Sequence, residues 1–228
     1  MKTISRLLAA VAAIALADAQ QGGPPPVGFI RLVNAVAPGE GNTLMRVDGE
    51  ELYPKGYKLG QRTGGIGLKA GSREIEVRKE GVESGKTTVD VNTGETTTLV
   101  AFAERVESDD EEEPPKWQAR ILRLKQSDPE RGYRLTVVSV CPDPDVTFRI
   151  ATEARRAIEL KTVKRFNTTS VDLGKARGDV EIRLKDADGP LCGMSLDEPG
   201  NYVAVFYSDA EGKIRALTFY DPKFVIAG

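Results

Sequence analysis

Four short blocks of this chain recur in the same order about 100 residues further on, and that repetition constrains the fold more than any other feature of the sequence. Thr43-Leu44-Met45-Arg46-Val47 is answered by Val146-Thr147-Phe148-Arg149-Ile150. Ile75-Glu76-Val77-Arg78 is answered by Val180-Glu181-Ile182-Arg183, Leu99-Val100-Ala101-Phe102 by Val203-Ala204-Val205-Phe206, and Pro38 by Pro142. In the second pair, apolar and charged residues alternate with the period of a strand that has one face in a core and the other in water. A slip of one residue would turn Glu76 and Arg78 inward, which costs several kcal/mol for each unpaired charge, so the register is well determined.

Gly, Pro, Asp and Asn turns separate the strand-like segments, and helical periodicity is scarce. The one plausible helical turn is Glu153-Ala154-Arg155-Arg156-Ala157-Ile158, which reads equally as a connection between strands. The expected fold class is all-β, with two tandem antiparallel β-sandwich domains at 27–126 and 132–228. The repeat also accounts for the acidic run from Glu107 to Pro115. Its counterpart in the second half is the short turn Ser208 to Lys213, so the run reads as an enlarged hairpin tip. Gln118 to Leu124 then pairs back, and the boundary falls at Gln126 to Gly132.

Lys2 and Arg6, the apolar run Leu7 to Leu16 and the small residues up to Ala19 have the order of a secretory signal peptide, giving a leader at 1–19. Gln20 to Pro26 is too rich in Gly and Pro for a core and reads as a flexible lead-in. The apolar run is shorter than the roughly 20 residues of a membrane anchor, so the mature chain is expected to be exported without a membrane span, into the periplasm or the extracellular space. With 32 Lys and Arg against 34 Asp and Glu, the net charge of −2 supplies no drive toward nucleic acid or an anionic membrane.

In an oxidising compartment, Cys141 and Cys192 are expected to form a disulfide closing a loop of about 50 residues, worth about 3 to 4 kcal/mol. Two separate buried thiols are the alternative. The chain contains no histidine, which removes Ser-His-Asp, Cys-His and His-based zinc chemistry. Gly81-Val82-Glu83-Ser84-Gly85-Lys86-Thr87 falls one residue short of the spacing of a phosphate-binding loop and reads as a hairpin. Gly64-Gly65-Ile66-Gly67 lacks the spacing of a dinucleotide fingerprint and reads as a sharp turn or bulge. Asp186-Ala187-Asp188-Gly189 resembles a fragment of a calcium loop without its downstream Glu, and reads as a tight turn. No catalytic residue, metal ligand or cofactor is expected.

Phe29-Ile30-Arg31-Leu32-Val33-Asn34-Ala35, followed by Pro38 and by Met45-Arg46-Val47-Asp48-Gly49, resembles a family of extracellular bacterial domains of unknown function. Those domains open on a Val-Arg-Val-Val-His/Asn-Ala-like strand and continue to a Val-Asp-Gly hairpin. Leu68-Lys69-Ala70-Gly71 and the strand after it look like that family's Leu-Pro-Ala-Gly turn, and are similar to the PEGA module, which shares a turn like Gly94-Glu95-Thr96. The resemblance covers most of the first repeat and implies an immunoglobulin-like sandwich at the cell surface or in the periplasm.

The function expected from these observations is a non-catalytic structural or protein-interaction module of the cell envelope. Its partner would be an envelope protein or a glycan. The alternative is carbohydrate binding through exposed aromatics, for which Trp117, Tyr133, Tyr53 and Tyr57 are the candidates. A hydrolase using two carboxylates in one cleft is the third reading.

Overall fold

The computed structural model describes residues 26–107, 115–124, 132–152 and 155–222. The expected leader, all of the lead-in except Pro26, the acidic tip 108–114 and the linker at 125–131 lie outside the described residues. The protein is all-β, and no helix occurs among the described residues.

In the first half the strands are β1 (Val27–Ala35), β2 (Glu40–Val47), β3 (Glu50–Glu51), β4 (Ile66–Lys69), β5 (Gly71–Glu80), β6 (Val82–Val91), β7 (Thr96–Val106) and β8 (Lys116–Arg123). They form one sheet in the order β3-β2-β5-β6-β8-β7-β1-β4. This sheet curls over a core of Ile30, Leu32, Met45, Ile75, Val77, Leu99 and their neighbours. Its two groups of four strands are joined where Glu83 of β6 pairs with Gln118 of β8. Gly85 permits that approach, because a Cβ there would stand 2.1 Å from the Ala119 carbonyl oxygen.

The second half contains β9 (Tyr133–Ser139), β10 (Asp145–Thr152), β11 (Arg155–Lys164), β12 (Thr168–Gly174), β13 (Gly178–Leu184), β14 (Cys192–Leu196), β15 (Gly200–Ser208) and β16 (Ile214–Tyr220). Its two sheets have the orders β11-β10-β13-β14 and β12-β9-β15-β16. They enclose a core that includes Leu135, Phe148, Ile150, Ile182 and Phe206. Phe148 and Phe206 meet edge to face at 5.5 Å.

Local chemistry explains the turns. Asp48 and Gly49 have φ of 51° and 82°, and Val47 pairs with Glu50, which is the two-residue hairpin geometry that favours Asp-Gly. The Asp48 carboxylate then accepts the Glu74 amide at 2.9 Å and tethers the turn to β5. Val106 pairs with Lys116 and Ser208 with Ile214, so the acidic run and its short counterpart both join antiparallel partners, as the repeat predicts.

Most pairings are antiparallel, but each half also has a long parallel pair. β1 runs parallel to β7 and β9 parallel to β15, with the same sequence offset in each half, from Phe29 to Thr96 and from Tyr133 to Gly200. This strand pair is the frame on which the two halves meet. Val33, Ala35, Val100, Phe102 and Leu124 on one side pack against Val138, Val140, Val203, Val205, Tyr207, Leu217 and Phe219 on the other. Val33, Val100, Val138, Val203 and Val205 are as fully buried as any core residue, so this seam is a third core.

Three sequence expectations are corrected here. The segment read as a possible helical turn contributes residues 155–158 to β11, where Ile158 pairs with Ile150. The match of Leu99 to Val203 is one residue out of phase: Leu99 and Ala101 face the core of their half, whereas Val203 and Val205 face the seam.

The expected disulfide is the third. Cys141 and Cys192 are both free. Cys141 follows β9, whereas Cys192 opens β14, and β14 lies over β16, where the Thr218 hydroxyl donates to the Gly193 carbonyl at 3.2 Å. β9 and β16 are separated by β15, so the two thiols are offset by two strand steps of about 4.8 Å each. A disulfide needs Cα atoms within about 7 Å. Both thiols pack instead as small apolar groups in the core of the second half.

Candidate functional site

The long connection between β3 and β4 is stapled along β1. The Asn34 amide nitrogen of the backbone donates to the Gln61 carbonyl at 2.9 Å, Gly60 donates back to Asn34 at 2.8 Å, and Thr63 donates to Leu32 at 2.9 Å. Two side chains complete the attachment. Asn34 Nδ2 donates to the Tyr57 carbonyl at 2.9 Å, and Thr63 Oγ1 accepts the Leu32 amide at 3.0 Å. With its backbone groups spent on β1, this connection is held as a wall.

The wall faces the end of β16 across a cleft of about 650 Å³ lined by Tyr53, Tyr57, Gln61, Arg62, Thr63 and Tyr220, with Arg31 at its floor. Residues from both halves therefore build it. Tyr53 is 44% exposed, and its ring stands 5.8 Å from that of Tyr57 at a tilt of 58°. Burial, and then Tyr53, raise the Tyr57 phenol above its usual range. Tyr220 donates its hydroxyl to the Pro199 carbonyl at 3.2 Å, which fixes the opposite rim.

The electrostatics are set by two guanidinium groups. Arg31, 2% exposed, forms an ion pair with the buried carboxylate of Asp221, which also accepts from Thr98 Oγ1 at 2.9 Å. Burial, and then the charge of Arg62, lower Arg31 to about 10, still far enough above neutrality to keep it charged. Arg62 is exposed, lies 5.6 Å from the centroid of Phe219, and has no carboxylate partner among the described residues. No lining residue is acidic. The charge that the cleft presents to solvent is therefore positive.

The four sequence candidates separate. Tyr53 and Tyr57 share the cleft. Trp117 lies on β8 opposite Arg105, half-buried against the core of the first half and away from the cleft. Tyr133 is 3% exposed and packs 6.2 Å from Tyr202 in the core of the second half, so it is corrected from ligand contact to core residue. Sequence reading missed Arg31, Arg62, Gln61 and Tyr220. Arg31 carried a usable signal: a lone charge inside an apolar strand requires a partner.

A second cleft of about 600 Å³ is lined by Glu40, Asn42, Lys55, Arg78, Lys79 and Glu80 among others, with both signs of charge side by side. Glu40 and Glu80 are β-sheet partners there, and both are exposed. Gly81 to Thr87 forms the β5–β6 turn and strand, and Asp186 to Gly189 forms the turn before β14, as read from the sequence. Among the described residues, no three His, Cys, Asp or Glu side chains converge as metal ligands, and no helix is long and apolar enough to cross a membrane.

No family model matches the chain, and no curated protein does. Among solved structures, the Bacillus anthracis TIE protein is similar at 11% identity and a TM-score of 0.27, over 81% of this chain; the chain spans 50% of the length of that protein. A "putative adhesin" from Bacteroides thetaiotaomicron is similar at 10% identity and a TM-score of 0.20, over 84% of this chain and 94% of its own.

Proposed function

We propose that the chain is an exported, non-catalytic module of the cell envelope, built from two tandem immunoglobulin-like sandwiches and serving a structural or protein-interaction role. The observation that supports this reading is the seam. A buried apolar layer and the Arg31 to Asp221 ion pair couple the halves into one stiff unit with outward faces at a constant spacing. Such a unit suits a spacer or a bridging contact.

The test is cell fractionation with mass measurement of the mature chain, followed by cross-linking on intact cells. The expected result is an envelope-associated chain beginning at Gln20 and cross-linked to a single envelope component. A full-length chain confined to the cytoplasm would overturn the reading. Carbohydrate binding is the second reading, and it is favoured by one observation: Tyr53 and Tyr57 line the same cleft.

A further inference from the structure

The cleft between the halves has three properties that together define a ligand class. Its exposed aromatic surface is a pair of tyrosines, whose hydroxyls have no protein partner among the described residues. Rings of this kind stack on the apolar faces of sugars, while their hydroxyls bond sugar hydroxyls. Gln61 adds donor capacity: its Oε1 is taken by the Lys58 amide at 2.7 Å, which leaves its NH2 group available. The third property is the cationic excess, since Asp221 is consumed by Arg31 and Thr98 while Arg62 has no acid partner among the described residues.

The wall also selects against an extended peptide. Strand addition needs free main-chain donors and acceptors. The Gly60 and Thr63 amides and the Gln61 carbonyl are already bonded to β1, and the Gln61 amide to Lys58. A compact ring with one negative group uses what remains.

We propose that this cleft binds a carboxylated sugar, with Tyr53 stacking on the ring and Arg62 receiving the carboxylate. The inference rests on the carbohydrate reading and deepens it. Arg62 supplies a planar fork that matches a carboxylate. Tyr57, held by Asn34, supplies the side wall, and Tyr220 of the second half supplies the opposite rim. The site therefore exists only while the seam holds the halves together.

The test is an NMR titration of the purified full chain with trigalacturonate, trigalactose and triglutamate. Expected is a Kd of about 1 mM or tighter for trigalacturonate, with shifts confined to Tyr53, Tyr57, Gln61 to Gly64 and Tyr220. Arg62→Gln should weaken it roughly tenfold or more, Arg62→Lys should restore part of the loss, and Tyr53→Ala should also weaken it. Both positions are exposed, and an unchanged melting temperature checks that each variant is folded. Equal binding of trigalactose at these residues would overturn the carboxylate assignment and leave the carbohydrate reading standing. Equal binding of triglutamate would overturn it in favour of an acidic peptide. No shift with either sugar would overturn both the proposal and the carbohydrate reading.

Discussion

Thr98 donates a hydrogen bond of 2.9 Å to the carboxylate of Asp221, 123 residues away in sequence and on the other side of the seam. The same carboxylate holds Arg31, so three polar groups close one end of an otherwise apolar interface. At the other end Glu104 is paired with Arg165, whose guanidinium lies 4.4 Å from the Phe166 ring centroid, and Phe166 meets Phe102 at 5.6 Å. The seam is apolar in the middle and ionic at both margins.

Removing one partner of a buried pair leaves a desolvated charge. Asp221→Ala should therefore lower stability by about 3 to 5 kcal/mol, read as a lower urea midpoint at unchanged slope. Arg31→Met combined with Asp221→Leu should recover most of that loss. Equal loss in the single and double variants would show that the charge pair is not the cause.

The seam makes the halves one cooperative unit. Val203→Ala, at a fully buried position facing Val33 and its neighbours, should cost about 2 kcal/mol. Calorimetry should show a single transition for the full chain. Two resolved transitions would contradict a shared third core.

The thiols should be reduced and inert. Burial pushes Cys192 up to about 12 and also raises Cys141, so at pH 8 neither supplies much thiolate. A thiol reagent should find almost no reaction with the native protein and two equivalents after unfolding without reductant. Zero equivalents after unfolding would establish the disulfide that the sequence suggests.

Asp209 organises the β15–β16 turn, accepting the Lys213 amide at 2.8 Å and the Arg215 guanidinium at 2.7 Å. Arg215 first, and then the backbone amides, hold its carboxyl below the usual range. The folded value is the lower one, so its contribution is complete above the unfolded value of about 3.9 and is lost as the pH falls through the folded value. A carboxyl chemical-shift titration should place the Asp209 midpoint below about 3.9, and Arg215→Ala should move it upward.

Asn34 positions the cleft wall without touching the cleft. Asn34→Ala removes the bond to the Tyr57 carbonyl and one to the Val36 amide, which should cost about 1 to 3 kcal/mol. Hydrogen exchange should quicken at Gly60 and Thr63, whose amides bond to β1. Unchanged exchange at both would mean that the connection holds without Asn34.

Much of the fold was legible because its rules are local. The alternation in Ile75-Glu76-Val77-Arg78 names the dry face of β5, and Asp48-Gly49 names the β2–β3 turn, since few other residues accept two positive φ angles in succession. The site was less legible. Tyr53 and Tyr57 were among the aromatic candidates, but Arg62 and Tyr220 are 158 positions apart and meet only across the seam.

The sequence by itself determined the all-β class and the inward phase of β2, β5, β10 and β13. Tertiary structure alone decided that the outer faces of β1, β7, β9 and β15 are buried against each other. Alternation reports which side of a strand is dry, not what keeps it dry. The unbroken run Val203-Ala204-Val205-Phe206-Tyr207 signals burial on both faces, and only the packed chain shows that the second covering is the other half of the same molecule.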